Sequence, residues 1–181
     1  MRGMMHIAAS ILFLGALGVA QDDLMGAKRP SVTMLPAGLT HVTGGKAAEA
    51  HLRFRITPGF HINSNTPKSE FLIPTVLKLD APTDIVVGKI SYPAGEEMSF
   101  PFAPNEKLSV YTGEFDLAVK VRPLHNVIPG KYMFRGRLRY QACDNAACYP
   151  PKNLPVQFEV KVARPPKARG ANPAQSPHVH R

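Results

Sequence analysis

The sequence predicts an all-β fold, two antiparallel sheets packed face to face, from three observations. Apolar and polar residues alternate with a period of two over most of the chain. No window after residue 21 carries a helical stripe, and turns bearing Gly or Pro separate the alternating runs. A length of 181 residues makes one domain the default, and a 44% hydrophobic content is too high for a disordered chain. Many short strands with such turns describe an immunoglobulin-like β-sandwich.

The elements follow in chain order. Ile7 to Ala20 is apolar and uncharged behind Arg2, and Gly18-Val19-Ala20 places small residues before a cut at Gln21. Residues 1–20 therefore read as a secretory signal peptide, the apolar run being shorter than the ~20 residues of a membrane span. Residues 21–29 form an N-terminal extension and residues 30–163 the sandwich. Ala48, Ala50, Leu52, Phe54 and Ile56 alternate with Glu49, His51, Arg53 and Arg55. Phe115 to Val121, Tyr132 to Tyr140 and Val156 to Val162 alternate in the same way. Shorter runs at Val32 to Leu35, Thr75 to Leu79, Asp84 to Ile90 and Leu108 to Tyr111 bring the total to about eight strands. Turns fall at Gly44-Gly45, Pro58-Gly59, Pro93-Ala94-Gly95, Thr112-Gly113 and Pro129-Gly130. Residues 164–181 are a basic tail rich in Pro and Ala without periodicity, and the composition is that of disorder.

The net charge of +9 divides among these parts. Arg2 leaves with the signal peptide, and Arg164, Lys167, Arg169 and Arg181 belong to the tail. Part of the remainder is a row on one strand, Arg135, Arg137 and Arg139, which reads as a solvated face. The row lacks interleaved aromatics, so nucleic acid is not an expected partner. His178 and His180 lie in the tail and do not make a metal site by themselves.

The chain has two cysteines and no Trp. Cys143 and Cys148 enclose only Asp144-Asn145-Ala146-Ala147, so they are not the inter-sheet disulfide that packs on Trp in antibody domains. A bond closing so short a loop stabilises the fold by only about 2 kcal/mol. The pair lies between two strands, at an end of the sandwich where a partner can reach it. Three readings compete: a structural hairpin staple, a metal site using both cysteines and a His, and a redox-active dithiol. No helix begins at Cys143, so no helix dipole lowers its thiol pKa, and the adjacent Asp144 would raise it. Such a pair reacts when a partner presents its own cysteine.

Tyr140-Gln141-Ala142-Cys143, Cys148-Tyr149-Pro150-Pro151 and the upstream Gly59-Phe60-His61-Ile62-Asn63-Ser64-Asn65 resemble the N-terminal periplasmic domain of the thiol:disulfide interchange protein DsbD. The resemblance spans about Pro30 to Ala163. It implies an immunoglobulin-like domain that takes electrons from a thioredoxin-like partner, itself reduced through a membrane-embedded reductant. The domain passes them to periplasmic disulfide proteins, cytochrome c biogenesis among the processes served. By the same resemblance Cys148 forms the mixed disulfide and Cys143 resolves it. The resemblance also implies a cap loop over the cysteines, for which Glu96 to Lys107 is the candidate, with Phe102 as the first choice of cap ring and Phe100 the second. Alternation of Met98, Phe100 and Phe102 equally fits a strand with core rings. The resemblance further implies that His61 and Asn63 lie where the family places polar or aromatic side chains beside the cysteines, with Tyr140 and Tyr149 flanking them.

The spacer between the cysteines is one residue shorter than in well-studied members, and the chain carries neither a multi-span membrane domain nor a thioredoxin-like one. The expectation is a stand-alone, monomeric periplasmic redox carrier without cofactor or metal and without membrane insertion of the mature chain, rather than a small-substrate enzyme. The alternative is a non-catalytic exported β-sandwich module whose disulfide pins a hairpin.

Overall fold

The computed structural model describes residue 29 and residues 31–165. The expected signal peptide, nearly all of the extension and most of the tail lie outside the described residues. Twelve strands follow in order: β1 (Val32–Met34), β2 (Thr40–Thr43), β3 (Ala48–Ile56), β4 (His61–Asn63), β5 (Val76–Asp80), β6 (Ile85–Ser91), β7 (Glu96–Phe100), β8 (Ala103–Tyr111), β9 (Glu114–Pro123), β10 (Gly130–Tyr140), β11 (Ala142–Cys143) and β12 (Lys152–Ala163). Among the described residues no helix is long and apolar enough to cross a membrane.

Two four-stranded sheets, ordered β1-β3-β9-β6 and β2-β12-β10-β5, share one core. Leu52, Phe54, Leu117 and Val119 of the first sheet meet Phe134, Leu138, Val156 and Phe158 of the second, all buried. Phe54 stacks on Phe115 and Phe134 on Phe158, with ring centroids 5.2 and 4.8 Å apart. These are the inward positions of the alternating runs, because a strand with one face in the core buries every second residue. Pairing is antiparallel except for β2 on β12.

A third sheet, β11-β4-β8-β7, lies beyond the two-sheet expectation. It is built from continuations of the others: β4 follows β3 across the Thr57–Phe60 turn, β8 runs into β9 through Thr112-Gly113, and β11 follows β10 after Gln141. Beyond the Leu108 to Tyr111 run of β8, its members show little period-two signal for a physical reason. All of β4 is buried, so nothing alternates, whereas β7 is exposed at four of its five residues. The segment Glu96 to Lys107, expected as a loop, is a β-hairpin of β7 and the first half of β8. Phe100 ends β7 and is buried, while Phe102 occupies the turn, so the two rings are not successive members of one strand face. The base of the hairpin requires Gly95: a Cβ there would collide with Ser109 Oγ and Ser64, whose hydroxyls hydrogen-bond at 2.8 Å.

Candidate redox site

Cys143 and Cys148 form a disulfide with an S–S distance of 2.05 Å. Cys143 lies on β11, the short continuation of β10, and is fully buried, whereas Cys148 follows the loop and is half-buried. The loop between them is held by more than sulfur. The Asp144 carboxylate accepts the backbone N–H groups of Ala146 at 2.7 Å and Ala147 at 2.9 Å, together with the Tyr149 hydroxyl at 2.7 Å. Asp144 N–H donates to the Ala147 carbonyl, and Tyr149 N–H donates to that of Ala142. Asp144 thus closes an Asx turn on its own backbone. The Tyr149 hydroxyl and the two amides hold its carboxyl below the usual range, and the same bond raises the Tyr149 phenol.

The neighbouring strand brings His61 opposite Cys143 in the β4–β11 register. The His61 ring is buried and stacks on Phe100 at 4.0 Å, and Phe102 stacks on the other side of the pair, 5.4 Å from Phe100. His61, Phe100 and Phe102 thus form one aromatic column beside the buried cysteine, with Phe102 at its exposed end. Asn63 is also buried, but its amide serves the frame, donating to the Ile73 carbonyl at 3.0 Å and to Gln141 Oε1 at 3.2 Å. Tyr149 packs edge-on against Phe60 at 5.8 Å. Tyr140 points into the core, where its hydroxyl accepts the Val32 N–H at 3.2 Å, so it braces the strand leading to Cys143.

Two residues had no assigned role from sequence reasoning. Gln141 joins the parts: its Oε1 accepts from Asn63 and the Ile73 N–H, and its Nε2 donates to the Tyr149 carbonyl at 3.2 Å. Asp144 appeared only as a charge beside a thiol, although Asp-Asn-Ala is an Asx-turn pattern that locates such a loop. Among the described residues no three His, Cys, Asp or Glu side chains gather as a metal site.

Burial lowers the His61 pKa from 6.5 to about 4, with the Asp144 carboxylate acting in the opposite direction, and His61 Nε2 has no hydrogen-bond partner. The unfolded chain therefore takes up a proton near pH 6.5 that the folded protein accepts only near pH 4. Stability is full above pH 6.5 and falls as the pH drops toward 4, by at most about 3 kcal/mol and nearer 2 with solvent screening. His61→Phe, which retains a ring on Phe100, should remove this loss. Urea unfolding of both proteins at neutral pH and near pH 4 measures it, and equal losses in the two would contradict the assignment.

The family model for the N-terminal part of the thiol:disulfide interchange protein DsbD matches residues 34–159, well over half of the chain. No curated protein matches. Among solved structures, the reduced N-terminal domain of DsbD from Neisseria meningitidis is similar at 27% identity, over 60% of this chain and 74% of that one, with a TM-score of 0.38. AggA, the major subunit of aggregative adherence fimbriae type I from Escherichia coli, is similar at 10% identity, over 75% and 95% of the two chains, with a TM-score of 0.34. The match of the family model runs from β1 into β12 and includes both cysteines and all three sheets, and by it the chain belongs to the family of DsbD N-terminal domains.

Proposed function

We propose that this protein is a periplasmic thiol:disulfide electron carrier, exchanging reducing equivalents with thioredoxin-like proteins and a membrane-embedded reductant through Cys143 and Cys148. The observation that carries this reading is the asymmetry of the disulfide: one sulfur-bearing residue is sealed at the end of a strand and the other is half-exposed in a turn. A partner thiolate attacks Cys148 Sγ, the Cys143–Cys148 bond breaks, and Cys143 leaves as a thiolate that takes up a proton. The partner's second thiol then loses its proton and attacks its own sulfur in the mixed disulfide, releasing Cys148. Two electrons pass to the carrier, and the partner is left as a disulfide. Delivery to an oxidised protein is the reverse, with Cys148 attacking and Cys143 resolving.

The column of His61, Phe100 and Phe102 serves as the shield on the Cys143 side, Phe100 being the ring in contact with His61. The loop's own hydrogen bonds also argue against a mere staple, because Asp144 and Tyr149 already close the turn that the disulfide would pin.

The test is the reduction potential, measured by equilibration against glutathione or thioredoxin buffers. A carrier equilibrates in the range of about −120 to −270 mV, whereas a structural disulfide lies below about −300 mV. A value in the lower class returns the protein to the scaffold reading.

A further inference from the structure

The two outer faces of the sandwich treat charge in opposite ways. On β3 and β9 the cross-strand register sets Arg55 opposite Glu114, Arg53 opposite Asp116 and Glu49 opposite Lys120. The first two pairs close as ion pairs at 2.7 and 3.2 Å. On the outer face of the other sheet the register sets Arg137 of β10 opposite Lys78 of β5, two cations facing each other across neighbouring strands. Like charges directly opposite are unfavourable in a sheet; the β3–β9 pairing has none, whereas Lys131 of β10 opposite Lys161 of β12 is a second such pair on this face.

The excess extends beyond those pairs. Lys78, Lys131, Arg135, Arg137, Arg139 and Lys161 are exposed on this face, and its carboxylates are Asp80 and Glu159. Glu159 is taken by Lys131 at 3.2 Å, and Asp80 lies opposite Arg135. Lys78, Arg137 and Arg139 therefore line, with Val76 and Asn153, an open groove of about 430 Å³ that has no acidic member. Arg135, Arg137 and Arg139 form no ion pair with any described residue. At the start of the same strand the basic row adjoins exposed apolar side chains, Met133 within it and Ile128 just before β10.

We propose that the outer face of the β2-β12-β10-β5 sheet binds an anionic phospholipid surface, with headgroup phosphates entering the groove between Lys78, Arg137 and Arg139. The Arg guanidinium matches phosphate oxygens two at a time, and a phosphate between Arg137 and Lys78 turns a repulsive cross-strand pair into a bridged one. A flat array of cations with apolar side chains at one edge suits a headgroup layer, where basic residues meet phosphates and apolar ones reach the acyl boundary. Bound in this way, the protein lies on the membrane without entering it.

The test is co-sedimentation of the protein with vesicles of phosphatidylcholine alone and of phosphatidylcholine containing phosphatidylglycerol. Binding is expected only to the anionic vesicles and is expected to weaken in high salt. The variant carrying Arg137→Gln and Arg139→Gln should lose affinity by about 25-fold, at about fivefold per surface cation. Arg53→Gln with Arg55→Gln makes the same change in net charge on the opposite face and should leave binding within a few fold of the parent. All four positions are exposed, and circular dichroism checks that both variants remain folded. Equal losses in the two variants would reduce the effect to net charge and overturn the proposal, as would absence of binding to anionic vesicles. Stabilisation by inorganic phosphate without vesicle binding would make the groove a small-anion site and overturn it as well.

Discussion

Cys143→Ala should turn the protein into a trap, accumulating mixed disulfides with thiol-disulfide partners in cell-envelope extracts, while Cys148→Ala should accumulate almost none. In the first variant the remaining thiol belongs to the half-exposed Cys148, and the sulfur that would resolve the adduct is gone. In the second the remaining thiol belongs to Cys143, which is fully buried on β11 with His61 opposite it. Access of the attacking thiolate sets part of the exchange rate, so an aromatic disulfide reagent should react with the first variant more than about tenfold faster than with the second. Equal trapping or equal reactivity would sink the assignment of roles. Neither variant should unfold. The loop closed by the disulfide is worth about 2 kcal/mol, small beside the 5–15 kcal/mol of an ordinary domain. The hydrogen bonds of Asp144 survive its loss. The double variant Cys143→Ser, Cys148→Ser should accordingly keep an all-β circular dichroism spectrum and a cooperative transition while losing exchange.

Phe100→Ala should have a large effect on both stability and reactivity, and Phe102→Ala a small one. Phe100 is 4% exposed, packs with Leu108 and Val110 in a second small core, and carries the His61 ring on its face. Truncating a ring buried in this way destabilises by about 3–5 kcal/mol. It also uncovers His61 and, through it, the side of Cys143, so reduction of the folded protein by a small thiol should accelerate. Phe102 is 36% exposed at the hairpin turn and stacks only on the outer side of Phe100, so its removal should cost less than about 1 kcal/mol. Leu108→Ala provides the comparison, because it empties the same small core without removing a ring from the column. Reduction that accelerates in Phe100→Ala but not in Leu108→Ala supports shielding. Equal acceleration in both assigns Phe100 to packing alone.

The strands that alternate cleanly were legible because one of their faces lies in the core and the other in water. That holds for β3, β9, β10 and β12, and the glycine turns between elements mark themselves by local conformational need. That Cys143 and Cys148 flank a short loop between two long strands follows from the same local pattern, whereas the strand β11 that carries Cys143 does not. Of the third sheet only the Leu108 to Tyr111 run of β8 and the alternation around β7 were legible; β4, buried throughout, leaves no period, and the joining of these pieces into a sheet leaves none either. Phe100 and Phe102 show the same limit: two aromatics at i and i+2 fit one strand face, yet a turn between them sends one into a small core and the other to the surface.

Alternation and turn chemistry act over a few residues, and they specify an all-β sandwich with a cysteine pair closing a short loop. Tertiary structure alone decided which cysteine is sealed and which is open. It also set His61 opposite Cys143 and against the Phe100 ring, tied Gln141 to Asn63 and Ile73, and placed Arg137 across from Lys78. The pairings of His61 with Cys143 and of Arg137 with Lys78 are matters of strand register between segments far apart in the chain. Register is fixed only when the whole core closes, since a slip of one residue would move every one of these side chains to the opposite face.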